Sequence, residues 1–283
     1  MATKKTASSK KSVTKVKATS APTKAKSTKV TTVKAVSATQ SSNRVSGFGG
    51  MQKPQVGAVV AEFVGAFMLA AAFIAGQGQP VLVLFALVGV VLALGAASGA
   101  HVNPAVTVAA WATRKVSAVR ALVYVVAQVL GAMLALVVLN AFVSQAPEVS
   151  SQAAMLGQSA SQELFKATAI PNGKEWTVFF AELLGAAIFG FAVASARKQL
   201  TQLSKAFTVG LGFFLALLVA GSAAAAVSGV AILNPAVAVA LQAINFSSVW
   251  PVAVYVLATV LGAIGGFVLN DLVNVNNDES VDA

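Results

Sequence analysis

The chain has 283 residues, 57% of them apolar and only 10% charged, with a mean hydropathy of +0.79. A soluble domain carries about 25% charged residues, so this composition excludes an ordinary water-soluble fold and points to the membrane. No cysteine is present, which excludes disulfides, thiol catalysis and Cys-based metal sites.

Charge is distributed unevenly. Twenty basic against nine acidic residues give +11, and residues 1–53 alone contribute +12, which leaves −1 for residues 54–283. The first 53 residues contain no acid, and large apolar side chains are scarce among their Thr, Ser, Ala and Lys. Such a segment cannot bury enough apolar surface to offset the entropy of ordering, so it reads as a disordered basic tail. It also lacks the apolar core of a signal peptide. Its charge suits weak, nonspecific contact with anionic lipid or nucleic acid.

Beyond the tail, about 20 apolar residues are needed per membrane crossing. Spans are expected near 56–77, 81–100, 117–142, 177–196, 206–224 and 249–270. Two shorter apolar stretches, 103–112 and 234–243, follow the second and fifth spans. At 1.5 Å per residue each covers roughly 15 Å, about half the hydrocarbon core. Each opens on the same triplet, Asn103-Pro104-Ala105 and Asn234-Pro235-Ala236. Asn is a favoured helix N-cap and Pro is pre-organised for the first helical position, so each triplet starts a half-helix.

The triplets belong to a duplication. Ala61-Glu62-Phe63-Val64-Gly65-Ala66 recurs as Ala181-Glu182-Leu183-Leu184-Gly185-Ala186, an offset of 120 residues. Tyr124-Val125-Val126-Ala127-Gln128-Val129-Leu130-Gly131-Ala132 recurs from Tyr255 to Ala263 at an offset of 131, the same as the Asn-Pro-Ala triplets. The chain thus divides into a tail (1–53), a membrane domain (54–270) and a short acidic end (271–283). The membrane domain has halves 54–142 and 177–270 joined by a linker, 143–176.

Arg114, Lys115 and Arg120 follow the second span and Arg197, Lys198 and Lys205 follow the fourth, whereas the first-to-second and fifth-to-sixth connections are uncharged. The excess of Lys and Arg marks the cytoplasmic side, so both termini are expected there, with the three spans of each half inverted relative to the other. The half-helices then enter from opposite faces and meet near the midplane with their N-termini together. Two positive helix ends and two Asn amides around one conduit suit a neutral solute with lone pairs and oppose a cation. The expected activity is passive conduction. No nucleophile–base pair, phosphate-binding glycine loop or carboxylate cluster suggests an enzyme, and no cofactor is implied. A non-conducting structural membrane protein is the alternative of a different class.

At these residues the chain resembles the major intrinsic protein family of aquaporins and glycerol facilitators. The resemblance covers residues 56–270 and is carried by Glu62, Gly65, the run Ser98-Gly99-Ala100-His101-Val102-Asn103-Pro104-Ala105-Val106-Thr107, and the corresponding second half. It implies an all-α membrane fold of six spanning helices and two re-entrant half-helices. It also implies one pore per subunit, a homotetramer, and a plasma-membrane location. Water or glycerol is the implied solute, with ammonia or another small neutral molecule as the alternative. Glu62 and Glu182 are then structural carboxylates that accept hydrogen bonds from the re-entrant loops, and the lone His101 is loop scaffolding rather than a metal ligand. Family members generally carry Arg directly after the second Asn-Pro-Ala, where this chain has Val237. By distance from the motifs, the other constriction candidates are Val83, Ser222 or a neighbour, and Ala231 or Val230. Ser228-Gly229 stands one residue further from Asn234 than Ser98-Gly99 does from Asn103, so the last placement stays open. On any placement the constriction is apolar and uncharged.

Overall fold

The computed structural model describes residues 55–143, 164–246 and 248–278. The proposed basic tail, most of the linker and the last five residues of the acidic end lie outside the described residues. Those described are helical, without strands, and include six helices long and apolar enough to cross a membrane.

In chain order the first half comprises α1 (Val56–Ala75), α2 (Pro80–Ser98), the short α3 (Pro104–Ala112) and α4 (Ala118–Val143). The second half comprises α5 (Glu175–Ala196), α6 (Gln202–Ala225) and the short α7 (Pro235–Ala240). Its last span runs from α8 (Trp250–Val252) through a π-helical turn (Ala253–Ala258) into α9 (Thr259–Asp278).

Local chemistry sets these bounds. Pro80 opens α2, and Gly99, at φ 93, ends it in the left-handed conformation that glycine adopts without penalty. α6 begins at Gln202, four residues before the expected 206, because the Thr201 hydroxyl caps it by accepting from the Ser204 N–H at 3.0 Å. Capping outweighs the polarity of the first turn, and Lys205 sits inside the helix. The second half-helix is shorter than the expected 234–243. It ends at Ala240, and Gln242 turns the chain away at φ 59. The last helix runs beyond the expected end of its span at 270, as far as Asp278, so the start of the acidic end is helical.

The half-helices are exchanged between the halves: α3 packs chiefly against α9, while α7 packs against α4 and α1. Within each half, the first and third spans approach closely at a glycine. A Cβ on Gly131 would strike the Phe63 carbonyl oxygen, and one on Gly262 would strike the Leu183 carbonyl oxygen. Gly131 and Gly262 differ by the 131-residue offset, and Phe63 and Leu183 by the 120-residue offset. The contact is therefore one contact made twice about a pseudo-twofold axis. Small residues that let backbones meet are the usual glue between helices in lipid, where the hydrophobic effect no longer favours association.

Candidate functional site

The site lies where the N-termini of α3 and α7 meet. The Asn103 side-chain oxygen accepts from the Ala105 N–H at 2.8 Å, and that of Asn234 accepts from Ala236 at 3.0 Å and Val237 at 3.4 Å. Each Asn thus caps its own half-helix. The amide nitrogens reach across: Asn103 Nδ2 donates to the Leu233 carbonyl at 2.8 Å, and Asn234 Nδ2 donates to the Val102 carbonyl at 3.0 Å. An NH2 group carries two donors, so each Asn retains one N–H beyond this cross-brace.

The loops entering the half-helices are strained and held. Val102 at φ 42 and Leu233 at φ 59 occupy the left-handed region, which costs a β-branched or bulky residue free energy unless its surroundings enforce it. Buried carboxylates do the enforcing. Glu62 accepts from the His101 N–H at 2.9 Å and the Val102 N–H at 2.7 Å. Glu182 accepts from the Ile232 N–H at 2.6 Å and the Leu233 N–H at 2.9 Å. Gly65 and Gly185 stand beside these glutamates, and a Cβ on either would collide with the Val102 or the Leu233 side chain.

The halves differ in what surrounds each carboxylate. In the first, Gln128 Nε2 donates to Glu62 at 2.7 Å and to the Thr107 hydroxyl at 2.9 Å, and Thr107 lies 3.2 Å from His101 Nδ1. The Thr107 hydroxyl itself donates to the Asn103 carbonyl at 3.0 Å. In the second, the positions matching His101, Thr107 and Gln128 are Ile232, Ala238 and Thr259. Thr259 turns back on its own helix, bonding to the carbonyls of Tyr255 and Val256 next to the π-helical turn. One half of the centre is therefore lined with a polar network and the other is aliphatic. The symmetry-related tyrosines persist in both, Tyr124 donating to the Ser98 carbonyl at 3.1 Å and Tyr255 to the Val230 carbonyl at 3.4 Å.

The structure brings Glu62, Glu182, His101 and both Asn-Pro-Ala triplets into this one cluster. Among the constriction candidates, Val83, Ala231 and Val237 are buried and Val230 is half-buried. Ser222 is exposed, on the side of α6 away from its buried stripe of Phe213, Leu217, Ala220 and Ala224. Its neighbour Gly221 faces open space, with no atom within 4 Å of where a Cβ would stand. Sequence reasoning missed Gln128 and Thr107. The signal was present, since Gln128 is an amide in the middle of a long apolar span and lies inside the repeated segment. No group of three or more metal-ligating side chains occurs among the described residues.

The model of the major intrinsic protein family matches residues 49–205 and 169–282, together most of the chain. The chain belongs to the major intrinsic protein family. It is 33% identical over 139 residues to glycerol uptake facilitator protein-like 6 of Lactiplantibacillus plantarum, covering 46% of this chain and 58% of that protein. It is 32% identical over 173 residues to aquaglyceroporin-2 of Rhizophagus irregularis, covering 53% and 54% of the two chains. The chain thus spans little more than half the length of these relatives. The X-ray structure of the aquaglyceroporin from Plasmodium falciparum shares the fold, with a TM-score of 0.56 at 18% identity, covering 80% of this chain and 98% of that one. As a major intrinsic protein with six spanning helices, the chain is a multi-pass membrane protein.

Proposed function

We propose that this major intrinsic protein is a passive channel for water and small neutral solutes such as glycerol. The crossed half-helices carry the reading: two helix N-termini and two spare Asn N–H donors converge where the loops meet. A neutral solute with lone pairs can accept those donors, whereas a cation meets two partial positive charges. The relatives named as a glycerol uptake facilitator and an aquaglyceroporin support the same solute class. Vesicles holding the purified protein should equilibrate water or glycerol faster than empty vesicles in stopped-flow light scattering. Swelling no faster than empty vesicles for every solute tested overturns the proposal.

A second reading, conduction of ammonia or another small neutral molecule, is favoured by Val237. The buried aliphatic side chain there offers neither the fixed charge nor the planar donors of a guanidinium. Val237→Arg is expected to change the ratio of water to glycerol flux, and an unchanged ratio places residue 237 away from the constriction. Mercurial reagents should leave flux intact in the native chain, because there is no thiolate for the soft metal to bind. Cysteine introduced at Val230 or Ala231 should confer block at whichever position lines the conduit. Block at neither site removes this wall of the pore from the proposal.

The remaining elements of the reading are orientation, assembly and the tail. The Lys and Arg near the ends of α3, α4 and α5 support a cytoplasmic placement of that end and of both termini, in a cell membrane. Exposed apolar side chains such as Leu122, Phe180 and Leu211 support contact with lipid or with sister subunits of a homotetramer. Residues 1–53 add weak attraction to anionic lipid or nucleic acid.

A further inference from the structure

A cavity of about 390 Å³ opens at the end of the bundle where α7 stops. Three parts of the chain wall it. The first is the end of the linker, which is pinned to the bundle: the Ala167 N–H donates to the Leu241 carbonyl at 3.0 Å, and the Phe165 ring lies where a Cβ on Gly78 would press on it. A tight turn follows, in which the Lys174 N–H donates to the Pro171 carbonyl at 3.0 Å with Gly173 at φ 76, and it leads directly into α5 at Glu175. The second wall is the chain leaving α7, which turns at Gln242. The third is Trp250, at the start of the last span, whose ring is held edge-on by Trp176 of α5 with 5.1 Å between ring centres.

Thr168, Asn172, Glu175, Gln242, Ser248 and Trp250 line this cavity. Among the described residues, the side chains of the first five make no hydrogen bond to protein, and Glu175 has no cation at ion-pair distance. Two amides and two hydroxyls both donate and accept, the carboxylate only accepts, and the indole adds a flat apolar wall. No Lys, Arg or His lines the cavity, which disfavours an anion. Lys166 and Lys174, both exposed beside the lining segments, disfavour a cation, and no metal-binding group of three side chains occurs among the described residues. A neutral ligand remains, with hydroxyls along its edge and C–H surface on a face. The volume lies near the lower end of the roughly 300–1,000 Å³ of ligand pockets, which suits a single sugar ring. The duplicated fold does not account for the cavity: by the offsets of 131 and 120, Val119 and Gln55 stand where Trp250 and Glu175 do.

We propose that this cavity is a binding site for a neutral monosaccharide. Glu175 accepts from a pair of ring hydroxyls, Asn172 and Gln242 each donate to and accept from others, and the indole of Trp250 covers a C–H face of the ring. Glu175 is suited to the part because it is anchored in the first turn of α5, and Gln242 because the turn after α7 fixes its backbone. The site stands at the opposite end of α7 from Asn234, so it is separate from the crossed half-helices. Binding there does not depend on the channel reading.

The test is a saturation-transfer NMR titration of the full chain in lauryldimethylamine oxide, a detergent without a sugar headgroup. The probes are D-glucose, D-galactose and D-mannose, with choline chloride and sodium phosphate as charged controls. At least one hexose is expected to bind saturably with a Kd of about 1–10 mM, as a small polar ligand in an open cavity allows. Its ring C–H protons should receive saturation, and neither charged control should compete. Glu175→Gln and Trp250→Leu should each weaken binding about fivefold or more, and Asn172→Ala, at an exposed loop position, serves if the Trp250 variant fails to fold. Trp111→Phe, outside the cavity, should bind as the native chain does. Absence of saturable binding by all three hexoses up to about 100 mM overturns the site. So does hexose binding that survives the Glu175 and Asn172 substitutions. Saturable binding of choline or phosphate with none of the sugars overturns the assignment of the ligand. Flux through vesicles plays no part in these readouts, so failure of the channel reading leaves the test intact.

Discussion

Gly131→Leu is expected to prevent the bundle from assembling. The side chain would be driven into the Phe63 carbonyl oxygen and, beyond it, the backbone of α1 near Phe67. Overpacking an ordinary core site costs about 1–3 kcal/mol, because neighbouring side chains shift rotamer to make room. Here the obstacle is main chain, and main chain cannot yield without moving the whole of α1 away from α4. The cost should exceed about 3 kcal/mol, a large share of the stability of a marginally stable fold. The purified variant should show no monodisperse peak in detergent and a strongly lowered unfolding temperature. Gly131→Ala should be damaging too, since even one methyl meets the carbonyl. Gly57→Ala and Gly89→Ala are the controls: nothing lies within 4 Å of a Cβ at either position, and both should be tolerated. A Gly131→Leu protein that melts at the native temperature would show that α1 and α4 do not pack at this distance.

Removing a loop-bracing carboxylate is the second large effect. Glu62→Ala strands three buried donors, the His101 and Val102 N–H groups and the Gln128 amide. Glu182→Ala strands two, at Ile232 and Leu233. At about 1–3 kcal/mol for each unsatisfied buried group, the losses are about 3–9 and 2–6 kcal/mol. Part of that loss should appear as relaxation of the left-handed backbone at Val102 or Leu233, which would move the neighbouring Asn off its partner. Flux should therefore fall to the level of empty vesicles in both variants, with Glu62→Ala the less stable of the two by thermal unfolding. Native flux in either variant would mean that the loops hold their shape unaided.

Much of this architecture was legible in the residues. Apolar runs of membrane length set the spans, and the Asn-Pro-Ala triplets set the starts of α3 and α7, because local chemistry alone decides both. The structure departs from those expectations where capping competes with apolarity. Thr201 pulls α6 outward past Lys205, and the turn at Gln242 cuts α7 short. The cross-brace from each Asn to the opposite loop was not legible. Which carbonyl an Asn amide finds depends on two segments 130 residues apart in the chain meeting in space, and no local pattern encodes that. Nor did the repeat reveal how far its halves diverge. Gln128 and Thr259 align perfectly, yet one reaches into a network and the other folds back on its helix, because only the first half offers Thr107 and His101 as company.

The exchange of half-helices bears on how the protein is made. A chain emerging from a ribosome presents α1 to α4 before α5 exists, so α3 has no α9 to rest on and Asn103 has no Leu233 carbonyl to hold. During that interval the first re-entrant segment is a short apolar helix with an unpaired amide, able to sit at the interface but not to settle at depth. Its packing on α9 and the Asn103 cross-brace can form only once the last span and the Leu233 loop have been made. Each half lacks the main support of its own half-helix until the other is present, so either half expressed alone is expected to unfold at a lower temperature than the full chain.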